Sequence, residues 1–206
     1  MRFPFLRPAP ALAALTLFTV APAAQAGIIV TLGSMTPTAG GFRFSYNTLF
    51  DGLDASPFVT ITLEPGDLFT IYDFAGFVPG TSQQPVDWSF TSALTGTNPG
   101  GFPLAENAAV PNLTWTYTGP SRIVDGSLGV FSAVSLFSTM ASTGLAGAEN
   151  TLTITGVGPT PSVNVLGVFI PAAPQPAAAV PEPGTLALAG ISLLPLLGMI
   201  RHRRRA

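Results

Sequence analysis

Between residues 27 and 170, apolar and polar side chains alternate with a period of two. Phe42, Phe44 and Tyr46 take one parity, while Arg43, Ser45 and Asn47 take the other. Val59, Ile61 and Leu63 alternate with Thr60 and Thr62, and Leu113, Trp115 and Tyr117 alternate with three threonines. Leu152 and Ile154 repeat the pattern, and Val163, Val165 and Phe169 close the series. Successive strand residues point to opposite faces, so each run predicts a β-strand with one face on a core. Residues 68–74 (LFTIYDF) are apolar on both parities, which predicts a more buried strand. Residues 127–139 form a longer run, with an interruption expected at 133–135.

Turn residues punctuate these runs at 37–41, 64–67, 78–81, 98–101 and 156–159, where Gly, Pro, Asp and Asn gather. No stretch of ten residues between 27 and 170 has helical periodicity. Turns every ten to twenty residues predict an all-β domain at 27–170, a jelly-roll or Ig-like sandwich of about eight strands.

The two ends break the pattern, and both read as addresses. Residues 1–26 have the form of a secretory signal peptide, predicted to be helical. Arg2 and Arg7 precede ten uncharged residues at 11–20, too few to span a bilayer. Ala24 and Ala26 place small side chains where a signal peptidase needs them, so cleavage after Ala26 makes Gly27 the new N-terminus. At the other end, residues 171–183 alternate Pro and Ala, the composition of an extended spacer. Residues 184–200 are uncharged over 17 positions and reach about 25 Å as a helix, the short end of a transmembrane span. Arg201, Arg203, Arg204 and Arg205 then form a cationic stop, which places 27–183 outside the inner membrane.

Composition narrows the chemistry. All eight basic residues are arginine, and only Arg43 and Arg122 lie between the ends, against nine acids there, a net of −7. So acidic a domain has no footprint for nucleic acid. The absence of lysine excludes Schiff bases and lysine isopeptide crosslinks, and the absence of cysteine leaves stability to sheet packing. The one histidine, His202, is in the arginine tail, so neither a Ser-His-Asp triad nor an ordinary zinc site fits the domain.

Val180, Pro181, Glu182, Pro183 and Gly184, followed by a short apolar helix and an arginine-rich end, resemble the PEP-CTERM sorting signal of Gram-negative bacteria. The resemblance covers residues 180–206. The signal peptide implies export through the Sec translocon, while the resemblance implies recognition by exosortase, a membrane protein expected to cut near Pro-Glu-Pro. Passage to the cell surface or exopolysaccharide matrix follows from it. Residues 69–74 and 111–120 also resemble a recurring domain of secreted PEP-CTERM proteins, which brings no active site with it.

Within the domain, Asp51 and Asp54 sit three apart in a loop and could contribute oxygens to a Ca²⁺ ion, with Asp73 or Asp125 completing the site; a solvated turn explains them as well. Glu64, Asp67 and Asp73, or Asp73, Asp87 and Glu106, could furnish the paired carboxylates of a polysaccharide hydrolase. Glu64 and Asp67 also suit the turn they flank. Trp88, Trp115, Tyr117, Tyr72 and Phe102 could stack on sugars if exposed, although aromatics at alternating strand positions more often fill a core. Asn112-Leu-Thr114 fits a glycosylation pattern by chance. The expectation is a non-catalytic structural or adhesive protein without cofactor or metal, linked to exopolysaccharide or biofilm. A carboxylate-based hydrolase and a calcium-stabilised adhesin or carbohydrate-binding module are the alternatives.

Overall fold

The computed structural model describes residues 27–52, 58–96, 99, 104 and 106–174. Within them the chain is all-β, with nine antiparallel strands: β1 (Gly27–Thr38), β2 (Gly41–Asp51), β3 (Val59–Thr62), β4 (Leu68–Ile71), β5 (Trp88–Ala93), β6 (Asn112–Tyr117), β7 (Gly126–Ser135), β8 (Met140–Ile154) and β9 (Gly158–Pro171). The signal segment 1–26, most of the spacer, the apolar segment 184–200 and the arginine tail lie outside the described residues. No described helix is long and apolar enough to cross a membrane.

β1, β2 and β7 form a three-stranded sheet in that order. The six-stranded sheet is organised around β8, 15 residues long. Along one edge β8 pairs with β9, and along the other with β3 and then β4. Thr62 pairs with Thr151 and Leu68 with Glu149, so residues 63–67 all stand opposite Asn150 alone. The Pro65-Gly66 turn is thus looped out of what is otherwise one long strand. β6 and β5 complete the sheet beyond β4.

Aromatic rings join the two sheets. Phe131 of β7 meets Phe69 of β4 edge-on at 4.9 Å, Trp88 of β5 at 4.9 Å and Trp115 of β6 at 5.8 Å. Phe69 stacks on Trp115 at 5.1 Å. Edge-on and offset contacts put positive ring edges on negative faces, adding roughly 0.5–1.5 kcal/mol per pair beyond burial. Ile28, Phe44, Tyr46 and Phe50 from one sheet and Leu113, Ala146, Ala148 and Val168 from the other extend the same core.

The alternating runs appear at β2, β3, β6 and β8, and the doubly apolar run is as buried as its pattern requires: Phe69, Thr70 and Ile71 have no exposed surface. Two expectations are corrected. β7 continues through Ala133, Val134 and Ser135, all buried, and stops only after Ser135. There Ser135 Oγ donates to Ala75 O and accepts the Phe137 amide, which diverts the ladder. In β9 the inward residues are Asn164, Val168 and Ile170, while Phe169 is 50% exposed. The phase follows from Asn164, whose amide is committed to buried partners on β1 and β8.

The edge of β7 is covered by residues 76–83, which bridge to it at Phe77–Ser135 and Gln83–Ser132. Arg43 secures this cover by donating to Thr81 O and Ser132 Oγ. Covering an edge in this way blocks strand pairing with other chains.

Phe131→Ala should cost about 3–5 kcal/mol, because it removes the ring shared by both sheets and leaves a cavity. Val86→Ser, at a position 85% exposed, should change stability by under ~0.5 kcal/mol. Urea unfolding followed by Trp88 and Trp115 fluorescence measures both, and equal effects would refute the packing assignment.

Candidate functional site

The acids fall into two groups at opposite ends of the β4–β6 ladder. The first surrounds the turn between β3 and β4. Asp67 closes that turn: its amide donates to Glu64 O at 3.0 Å, and its Oδ2 accepts the Glu64 amide at 2.7 Å. Its Oδ1 accepts the Thr151 hydroxyl at 3.1 Å. Glu64 Oε1 accepts the Thr62 hydroxyl at 3.0 Å. Beside the turn is an open cleft of about 160 Å³ lined by Asp67, Glu149, Thr151, Pro159, Thr160 and Pro161. Burial raises the Asp67 pKa above the ordinary value, hydrogen bonds from Glu64 and Thr151 oppose the shift, and the Glu64 charge adds to it. Both Asp67 oxygens are therefore occupied in holding the turn.

The second group gathers around Asn112, which is 1% exposed. Its Oδ1 accepts the Asp73 amide at 2.8 Å, and its Nδ2 donates to Glu106 Oε2. Glu106 Oε2 also accepts the Gly96 amide at 2.8 Å. Asp73 adopts a φ of 54°, a conformation aspartate tolerates better than most residues, and its Oδ1 accepts the Asn107 amide at 2.8 Å. The network ties the segment between β5 and β6 to the end of β4. The neighbouring Tyr72 phenol is pushed up to about 12, first by burial and then by the Glu106 charge.

The carboxylates proposed for hydrolysis are thus only partly brought together. Asp73 and Glu106 share Asn112, whereas Asp87 is at the far end of the β5–β6 pair. There its carbonyl accepts the Thr118 amide, and its charge helps to raise the Tyr117 phenol after burial. Glu64 and Asp67 are also at that end. Asn112, which fits a glycosylation pattern only by chance, is the hub of this network: its amide is buried, and both its oxygen and its nitrogen are engaged. Asn107 was missed, and the only available signal was its position in a polar stretch before β6.

Trp88, Trp115, Tyr117 and Tyr72 are all buried and so belong to the core rather than to a sugar-stacking surface. Among the described residues the exposed rings are Phe58 and Phe169, at 64% and 50%. Asp51 is exposed at the end of β2, opposite Gly27. Asp54 and Phe102 lie outside the described residues. Among the described residues, no three His, Cys, Asp or Glu side chains are grouped to hold a metal ion.

The raised Asp67 pKa carries a sign. The folded chain binds this proton more tightly than the unfolded chain, so Asp67 adds stability below its unfolded pKa and loses it as pH rises through the native value. The stability of Asp67→Asn relative to the native chain should therefore increase from pH 4 to pH 7. Urea unfolding across that range measures the difference, and a flat or falling difference would contradict the assignment.

Neither the curated proteins nor the solved structures compared with this chain match it. Residues 179–205 match the model of the PEP-CTERM protein-sorting motif, which includes Val180, Pro181, Glu182, Pro183 and the four tail arginines up to Arg205. The match concerns the tail alone and is silent on the nine-stranded domain. The chain carries a PEP-CTERM sorting motif, which marks it as an exported protein, transiently anchored at the membrane and sorted by exosortase.

Proposed function

We propose that this chain delivers a non-catalytic β-sandwich domain to the cell surface or exopolysaccharide matrix of a Gram-negative bacterium, where it acts structurally or adhesively. In this reading the Sec translocon exports the chain and signal peptidase removes 1–26. Residues 27–170 fold outside the inner membrane, 171–183 hold the domain clear of the bilayer, and 184–200 span it. Arg201, Arg203, Arg204 and Arg205 resist translocation, because moving guanidinium groups through hydrocarbon is costly. Exosortase then acts near Pro181, Glu182 and Pro183.

The observation that carries the non-catalytic reading is how the acids are used. Asp67, Asp73 and Glu106 each accept hydrogen bonds from backbone amides, so three of the carboxylates a glycan hydrolase could draw on are engaged in tying backbone segments together. Trp88, Trp115, Tyr117 and Tyr72, four of the rings that could have bound sugar, are core. Both features support a domain whose residues serve its own architecture and whose surface does the work.

Removing residues 180–206 should change where the protein accumulates, from the envelope or matrix to the periplasm, and leave the melting transition of the domain within about 2 °C. Fractionation and thermal denaturation read the two arms. Unchanged location would remove the sorting role, and a collapsed transition would show that the tail is part of the fold. A screen of the purified protein on matrix glycans tests the domain itself: turnover lost in Asp73→Asn would make it a hydrolase.

A further inference from the structure

The start of β1 is enclosed by the rest of the domain. Gly27 is buried, and its φ of 135° is in a region that residues with a Cβ rarely enter. A Cβ placed there would come within 2.6 Å of Asn150 Nδ2 and 2.6 Å of Asn164 Oδ1. The Gly27 backbone therefore lies directly against a pair of side-chain amides from β8 and β9. Asn150 is 0% exposed and Asn164 4%.

The hydrogen bonds of this pair leave one atom over. Asn164 Nδ2 donates to Ile28 O at 2.7 Å, and Asn164 Oδ1 accepts from Asn150 Nδ2 at 3.1 Å. Asn150 Oδ1 is buried with no hydrogen-bond partner. An amide oxygen taken out of water without a donor is costly, and natural folds rarely leave one so. The orphaned acceptor belongs to the amide whose nitrogen abuts Gly27.

Gly27 is also the residue that export exposes, on the reading that signal peptidase cuts after Ala26, and the inference rests on that reading. Water hydrolyses the Ala26–Gly27 bond, leaving a carboxylate on Ala26 and an amine on Gly27. The amine takes up a proton near neutral pH and then offers three N–H donors where the peptide offered one. Asp51, the cross-strand partner of Gly27, adds negative charge at the same strand end.

We propose that the Asn150–Asn164 pair is a docking site for the new α-ammonium, with Asn150 Oδ1 as its acceptor, so that signal removal completes the fold. The site selects its occupant. A longer N-terminus carries its ammonium away from the amides, by about 7 Å for a cut after Ala24. A residue other than glycine at 27 brings its Cβ against both amides.

The chain has no lysine, so once it begins at Gly27 its α-amine is the only primary amine and can be acetylated selectively. The 27–206 chain in detergent is compared with its Nα-acetyl form by thermal denaturation. The free amine should melt roughly 5 °C higher, the scale expected for one hydrogen bond to a charged group in a domain of this size. In Asn150→Leu the gap should fall below about 1 °C. Equal melting of the two native forms overturns the proposal, and that comparison decides even if the variant does not fold. A gap that persists in Asn150→Leu also overturns it, because the amine would then be bound elsewhere. N-terminal sequencing of the exported protein tests the cleavage reading separately. A first residue of Gly27 supports it, and any other refutes the link to export without touching the measured coupling.

Discussion

Everything in this domain depends on the contact of Phe131 with Phe69, Trp88 and Trp115. The three-stranded sheet meets the larger one through this ring, flanked by Ile28, Val30, Phe44, Tyr46 and Phe50. With no cysteine to crosslink the layers, the ring contacts do the work that disulfides perform in many exported domains. Their geometry constrains what lies around them. Phe69 can stack on Trp115 only because β4 and β6 are paired with those two residues opposite one another. That register in turn sets Thr70 against Thr114, whose hydroxyls bond to each other at 2.8 Å on the opposite face. One aromatic layer thus determines how β4, β6 and β7 sit.

β8 is the second constraint, and it works through small residues. Ala146 and Ala148 face the core, while Gly147 lies where a Cβ would come 3.2 Å from the Tyr72 ring. Gly144 is closed in by Ile170 and the Val168 carbonyl. The strand gives up side-chain volume so that larger neighbours can close over it. It can then pair along both edges, and the turn at 64–67 projects from its side because five residues face one.

These two constraints explain what could and could not be read from the sequence. The runs at β2, β3 and β6 are legible because apolar residues recur at a clean period of two, and the run at β4 because it is apolar on both parities. β1 was missed because Gly33 bulges out between Leu32 and Ser34, shifting the phase so that Leu32 and Met35 both pack inward. β5 offers only Trp88 and Phe90 as a signal, and most of β8 is too small-sided to give one. The phase error at Phe169 has a different origin: a buried asparagine outranked a phenylalanine, because Asn164 has hydrogen-bond partners inside and the ring does not need the core. The candidate acids were visible as residues, but their roles were not. Whether a carboxylate faces a ligand or a backbone amide depends on loops that no periodicity describes.

The same logic connects the domain to its address. β9 holds the exit of the chain at Pro171 and, through Asn164, its entrance at Ile28. A load applied through the tail would act on β9 from its C-terminal end, where a strand paired only with β8 would peel one hydrogen bond at a time. Two bonds from the other sheet oppose that: the Tyr46 hydroxyl donates to Phe169 O at 3.1 Å, and Asn164 donates to Ile28 O. Tyr46 is fully buried, so its hydroxyl bond is shielded from competing water and is stronger for it. The strand nearest the anchor is therefore the one pinned to both sheets, and the tether and the core meet there.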